Sequence, residues 1–100
     1  MYESKIKQIA GYYDFESQLM QIAAESSELA HAALKLRRES KEYADLFDCD
    51  SYDNFLEKMA DTLIMVERLC WLLECEQEIK DIVAEKLDRQ LERIGEVAQR

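Results

Sequence analysis

Residues 56–73 read LEKMADTLIMVERLCWLL, and their pattern sets the architecture expected of this 100-residue chain. Met59, Leu63, Ile64, Met65, Val66, Leu69, Cys70, Trp71, Leu72 and Leu73 cover almost the whole circumference of a helix. A helix that is apolar on every side is buried on every side. The run from Leu63 to Leu73 is broken by Glu67 and Arg68 and is too short to span a bilayer, so protein is expected to cover it.

The flanking sequence supplies the other elements. Upstream, Asp45–Asn54 (DLFDCDSYDN) is rich in Asp and Ser and reads as a loop, with Asp50 or Ser51 as cap for the helix that follows. Downstream, that helix is expected to reach Cys75, with a tight turn at Glu74-Cys75-Glu76. A further helix then carries Ile79, Val83, Leu87, Leu91, Ile94 and Val97 as its stripe. Nearer the start, Asp14 suits an N-cap, with Gln18 one residue past the usual capping-box place. The helix it opens runs to about Tyr43, with Phe15, Leu19, Ile22, Leu29, Ala33 and Leu36 on one side. A short first helix spans about Tyr2–Ala10, and Gly11 is placed to end it. There is no Pro and there are only two Gly, which favours helices over strands and tight turns. The expectation is one all-α domain over residues 1–100, a four-helix up-and-down bundle with two long central helices. Three other helices, one of them short, do not cover the third, so a homodimer packed through the second and third helices is expected.

Charge narrows the partners. The chain has 22 acidic and 13 basic residues, a net charge of −9. That argues against a nucleic-acid polymer or an anionic membrane, both of which reward a basic patch. A phosphate ligand remains compatible, because a bound divalent cation inverts the local sign. The three cysteines, Cys49, Cys70 and Cys75, form no CxxC motif and are odd in number. They read as reduced thiols of an intracellular protein. The start of the chain has no apolar signal segment, and a cytoplasmic location is expected.

Two acid pairs stand out. Glu25 and Glu28 are three residues apart and share one side of a helix, with Glu25 among Ile22, Leu29, Ala32 and Leu36. Glu57 and Asp61 are four apart, with Asp61 among Ile64, Met65 and Leu72 and near Arg68. Half-buried carboxylates are costly unless a cation or metal answers them. On neighbouring antiparallel helices the two pairs would converge into an oxygen-rich cage of the kind Mg²⁺ takes when it carries substrate phosphates. Ion pairing to Lys35, Arg37, Lys58 or Arg68 is the plainer alternative. His31, one turn after Glu28, reads as incidental. Trp71 reads as core or dimer interface, ahead of a role in stacking on a base alongside Tyr12 and Tyr13, and Met20, Met59 and Met65 read as core filler.

These residues resemble the MazG-like nucleotide pyrophosphohydrolases of the all-α NTP pyrophosphatase superfamily. Ile22-Ala23-Ala24-Glu25-Ser26-Ser27-Glu28-Leu29 stands where that family has EExxEL. Leu56-Glu57-Lys58-Met59-Ala60-Asp61, with its apolar continuation, stands where it has EExxD. Lys86–Ile94 (KLDRQLERI) is similar to its basic C-terminal helix. The resemblance implies cleavage of a nucleoside triphosphate to the monophosphate and pyrophosphate, in a dimer or higher oligomer. It implies Mg²⁺ held by Glu25, Glu28 and Asp61; Glu57, one residue before the family's position and the acid nearest to it, is expected as a displaced fourth ligand, and Mn²⁺ as a substitute ion. Glu25 and Glu28 are the catalytic residues it implies, and Lys86 and Arg89 the phosphate contacts; Lys58, a lysine with no counterpart in the family pattern, is expected to occupy the metal's place or to touch a substrate phosphate. Two positions depart. Lys58 stands where the family has the Glu of ExxD, and Ala24 replaces a common acid. Both changes weaken divalent-cation binding. They frame a second expectation: a catalytically impaired relative that binds nucleotide or protein partners without hydrolysis.

Overall fold

The chain is ordered by one antiparallel helix pair. In a computed structural model that describes residues 2–98, helix α1 (Glu3–Tyr12) is followed by α2 (Phe15–Glu39), α3 (Asp50–Leu72) and α4 (Glu76–Ala98). A short 3-10 segment, Tyr43–Asp48, joins α2 to α3. No strand occurs among the described residues. Helices α2 and α3 form the body, and α1 packs against α3.

Local chemistry sets the helix ends. Asp14 caps α2 as the sequence predicts, its carboxylate accepting from the Ser17 amide at 2.7 Å and the Ser17 hydroxyl at 3.0 Å. Those bonds hold the Asp14 carboxyl below the usual carboxylate range. Helix α1 runs past Gly11 to Tyr12, with Gly11 inside it and a Cβ there only in ordinary contact range of the Trp71 ring. Helix α2 stops at Glu39, short of the expected Tyr43, where the Ser40 backbone turns extended while its amide and its hydroxyl both bond the Leu36 carbonyl, at 2.8 and 2.6 Å. The expected loop holds structure of its own. Tyr43, Phe47 and Tyr52 stack edge to face at 5.5 and 5.3 Å, bracing the 3-10 segment against the start of α3. Cys49, rather than Asp50 or Ser51, precedes the first turn of α3, and its thiol bonds the Asp45 carbonyl. Burial, and then the surrounding acids, push the Cys49 thiol up.

Helix α3 ends at Leu72, three residues before the expected Cys75. The Glu74 amide bonds the Trp71 carbonyl and the Cys75 amide bonds the Cys70 carbonyl. This is the paired C-terminal closure that ordinarily uses glycine, and Glu74 adopts its left-handed backbone at φ 51°. The closure sends α4 away from the body. Four helices are present, but they do not close a bundle within one chain: Glu76 to Ile94 is exposed throughout. The radius of gyration is 17.1 Å, against about 13 Å for a compact domain of this length.

The core is correspondingly small. Ile6, Ala10, Ala32, Leu36, Met65 and Leu69 are its buried apolar residues. Helix α3 is not buried all round in a single chain, since Leu63, Ile64, Val66, Trp71 and Leu73 remain exposed. Of the expected core methionines only Met65 is buried, while Met20 and Met59 face outward. The α4 stripe of Ile79, Val83, Leu87, Leu91 and Ile94 is exposed as well, and Val97's side chain lies outside the described residues.

One polar clasp fixes how α2 meets α3. Gln18 is fully buried and donates to the carbonyls of Ala10 and Tyr13, both at 2.9 Å. Its carbonyl oxygen accepts from Arg68 Nε at 3.2 Å, and Arg68 is itself 4% exposed. The Arg68 guanidinium also lies over the Tyr13 ring, 5.4 Å from its centroid. Gln18 thus ties α1, the α1–α2 turn and α3 together, and it plays no part in a capping box. Replacing Gln18 by Met keeps the volume, strands the Ala10 carbonyl and Arg68 Nε in buried surroundings and takes a partner from the part-buried Tyr13 carbonyl. The Gln18→Met variant is expected to lose at least ~2 kcal/mol in urea denaturation, with unchanged helical content in the folded baseline by circular dichroism.

Candidate functional site

Two helical turns along the same interface, about 10.5 Å from the clasp, the antiparallel register brings together the charged residues singled out in the sequence. Seven residues after Gln18 on α2 comes Glu25, and seven before Arg68 on α3 comes Asp61. The register therefore sets Glu25 opposite Asp61 and Glu28 opposite Lys58. The Lys58 ammonium lies 3.4 Å from Glu28 Oε2. The Thr62 hydroxyl donates to the Lys58 carbonyl at 3.0 Å and lies 3.5 Å from the Glu25 carbonyl, which pins the two backbones beneath the cluster.

The electrostatics follow from that arrangement. Glu25 is half-buried, and its Oε2 is sealed from solvent without a hydrogen-bond partner. Burial pushes its carboxyl above the usual range, the charges of Glu28 and Asp61 and the contact with Glu28 push it further, and Lys58 opposes them. The Lys58 ammonium is held above its ordinary value, first by its bond to and the charge of Glu28, then by Asp61 and Glu25. Four charged groups thus share one site: Glu25, Glu28, Asp61 and Lys58. The Lys58–Glu28 pair is partly exposed and contributes little to stability.

The other candidate residues stand elsewhere. Glu57 is exposed and is absent from the charges acting on Glu25 and Lys58; it lies about 100° round α3 from Lys58. Lys86 and Arg89 are on α4, exposed and away from the acid cluster of their own chain, and Arg89 pairs with Glu85 at 3.4 Å. His31 is exposed. Tyr13 is engaged beneath Arg68, and Tyr12 meets its ring edge to face at 5.0 Å. Neither Arg68 nor Lys35 nor Arg37 pairs with the acids; among the described residues Lys58 alone does. Thr62 and Gln18 were not foreseen. Thr62 is polar beside Asp61 on an otherwise apolar run, and Gln18 is polar one heptad before Glu25, on the same face.

Two cavities, of about 450 and 400 Å³, lie away from these charges. They open between α1 and α3, lined by residues such as Ile6, Leu63, Glu67 and Trp71, and the larger reaches Glu76 at the start of α4. That side of α3 is on average roughly 140° from the side facing α2. Among the described residues no three acidic, imidazole or thiol groups form a ready metal cage. Cys49, Cys70 and Cys75 are free thiols, and burial, then the neighbouring Cys75, pushes the Cys70 thiol up. No described helix is long and apolar enough to cross a membrane.

No protein-family model, curated protein or solved structure matches the chain.

The Glu25 shift makes a pH prediction with a definite sign. Its folded pKa lies above the unfolded one, so the folded chain holds more protons between the two values, and stability falls as pH rises through that window. Removing the ionisation recovers the loss only above the window. Glu25→Gln is therefore expected to raise Tm at pH 7 and to leave it unchanged near pH 4 or below, about the ordinary carboxylate value, as read by thermal denaturation across pH.

Proposed function

We propose that this chain is a MazG-like nucleotide pyrophosphohydrolase domain, acting on a nucleoside triphosphate or deoxynucleoside triphosphate to release the monophosphate and pyrophosphate. The observation that carries the reading is the convergence of Glu25, Glu28 and Asp61 from two helices, with a buried Glu25 oxygen left without a partner. Its weight comes together with the resemblance in the sequence, which singles out the same three acids.

The three carboxylates form no ready cage as they stand beside Lys58, but once Lys58 is withdrawn they are the hard oxygen donors that Mg²⁺, or Mn²⁺ in its place, takes. When bound, the ion supplies charge neutralisation on the phosphates and a more acidic water. Glu25, Glu28 and Asp61 hold it. Glu25 would accept a proton from the water that attacks the α-phosphate. Lys58, at the solvent edge of the cluster, contacts phosphate oxygens. Lys86 and Arg89 serve as phosphate contacts from the α4 of a second copy, since α4 stands off its own chain. A homo-oligomer, dimer or tetramer, is part of this reading. The exposed apolar faces of α3 and α4 and the extended shape of the single chain support it.

The ion pair between Lys58 and Glu28 favours a second reading. In it the lysine serves permanently as the cation of the site, and the protein binds nucleotide, or protein partners, without hydrolysis.

Pyrophosphate release from a panel of dNTPs with Mg²⁺ separates the two. The first reading expects release from at least one nucleotide, a fall of at least ~100-fold in Glu25→Gln, and tighter Mg²⁺ binding in Lys58→Glu. Nucleotide binding that survives EDTA, with no release from any member of the panel, supports the second. Sedimentation equilibrium tests the assembly: at least twice the chain mass of 11.8 kDa is expected, with Leu87→Asp and Leu91→Asp shifting the mass towards the monomer.

A further inference from the structure

We propose that Lys58 is a tethered cation that must leave the acid cluster before a divalent ion is held there, so that metal and polyphosphate bind this chain together and not one after the other. The proposal rests on the metal-site reading above and deepens it. Position 58 lies on the interface side of α3, and its ammonium sits against Glu28 within the field of Glu25 and Asp61. The groups acting on it come from both packed helices: Glu25 and Glu28 on α2, Asp61 on α3. A divalent ion bound by the same three carboxylates would sit within a few ångströms of that ammonium, and two cations repel at that range. The side chain is free to move. Its ammonium end is partly exposed, and the stem is long and flexible, while Thr62 holds the Lys58 backbone carbonyl in place.

The coupling follows from what Lys58 loses and regains. Metal alone releases the ammonium from Glu28 and offers it nothing in return. Metal arriving with a polyphosphate offers it phosphate oxygens at the rim of the same site. Each ligand therefore tightens the other, and by linkage the factor is the same in both directions. A glutamate at this position would act in the opposite sense, adding a ligand and letting the ion bind unaided.

Binding of Mn²⁺ to the full chain, followed by the electron paramagnetic resonance of free Mn²⁺, tests this without any turnover. Titrations are run with Mn²⁺ alone and with imidodiphosphate, corrected for the complex those two form in solution. Glu25→Gln assigns binding to the cluster, and circular dichroism verifies folding of each variant. The wild-type chain is expected to bind Mn²⁺ at least ~10-fold more tightly when imidodiphosphate is present. Lys58→Met and Lys58→Gln are each expected to bind Mn²⁺ alone at least ~10-fold more tightly than wild type and to lose most of the coupling. Equal affinity for Mn²⁺ alone in wild type and both variants overturns the proposal and leaves the metal site standing. No Mn²⁺ binding in any of them, with or without imidodiphosphate, overturns the proposal and the metal-site reading together.

Discussion

The register of α2 against α3 is the constraint on which the rest of the molecule depends. Apolar contacts alone specify it weakly, because Leu, Ile and Met side chains on two long helices pack acceptably after a slide of one turn. The buried Gln18–Arg68 bond does not tolerate such a slide. Moving one helix by a turn leaves a guanidinium and an amide buried without partners, at a cost comparable to a large share of the stability of a domain this small. Gln18 also bonds the carbonyls of Ala10 and Tyr13, so the same side chain fixes where α1 ends and α2 begins.

The acid cluster is a consequence of that register. Two turns from the clasp, Glu25 and Glu28 meet Asp61 and Lys58. Burial of a carboxylate, and then the like charges beside it, are unfavourable, and the raised proton affinity of Glu25 expresses that cost. The chain answers it partially, with one ammonium and no neutral donor on Glu25 Oε2. Sites that keep such unrelieved charge are common where a ligand completes the balance.

Helix α4 poses the complementary problem. It is as long as α3, at 23 residues each, and carries an apolar stripe, yet in one chain it meets α3 only slightly and stays exposed from Glu76 to Ile94. Its direction is set at the Glu74 turn, where a left-handed backbone closes α3 and reverses no helix onto the body. The exposed flank of α3 and the α1–α3 cavity of about 400 Å³, lined by Ile6, Ile9, Leu63 and Ile64, are apolar surfaces left open by the same geometry.

Sequence alone determined the all-helical class, the existence of each helix and the Asp14 cap, because these rest on local features: residue periodicity, the scarcity of Gly and Pro, and a side chain bonding its own backbone. It also determined that Glu25 and Asp61 sit on half-buried arcs, since angular position on a helix follows from residue number, whereas Glu28 and Glu57, expected on the same arcs, are exposed. Helix ends were less legible. Ser40, Cys49 and Glu74 stop or start helices through backbone bonds that compete with other local choices of similar energy. Only the tertiary structure decided that Lys58, and not Glu57, occupies the cluster, that Gln18 is buried beneath Arg68, and that α4 stands apart. Each of those outcomes depends on how one helix is rotated and placed against another, and no residue carries that information without its partner.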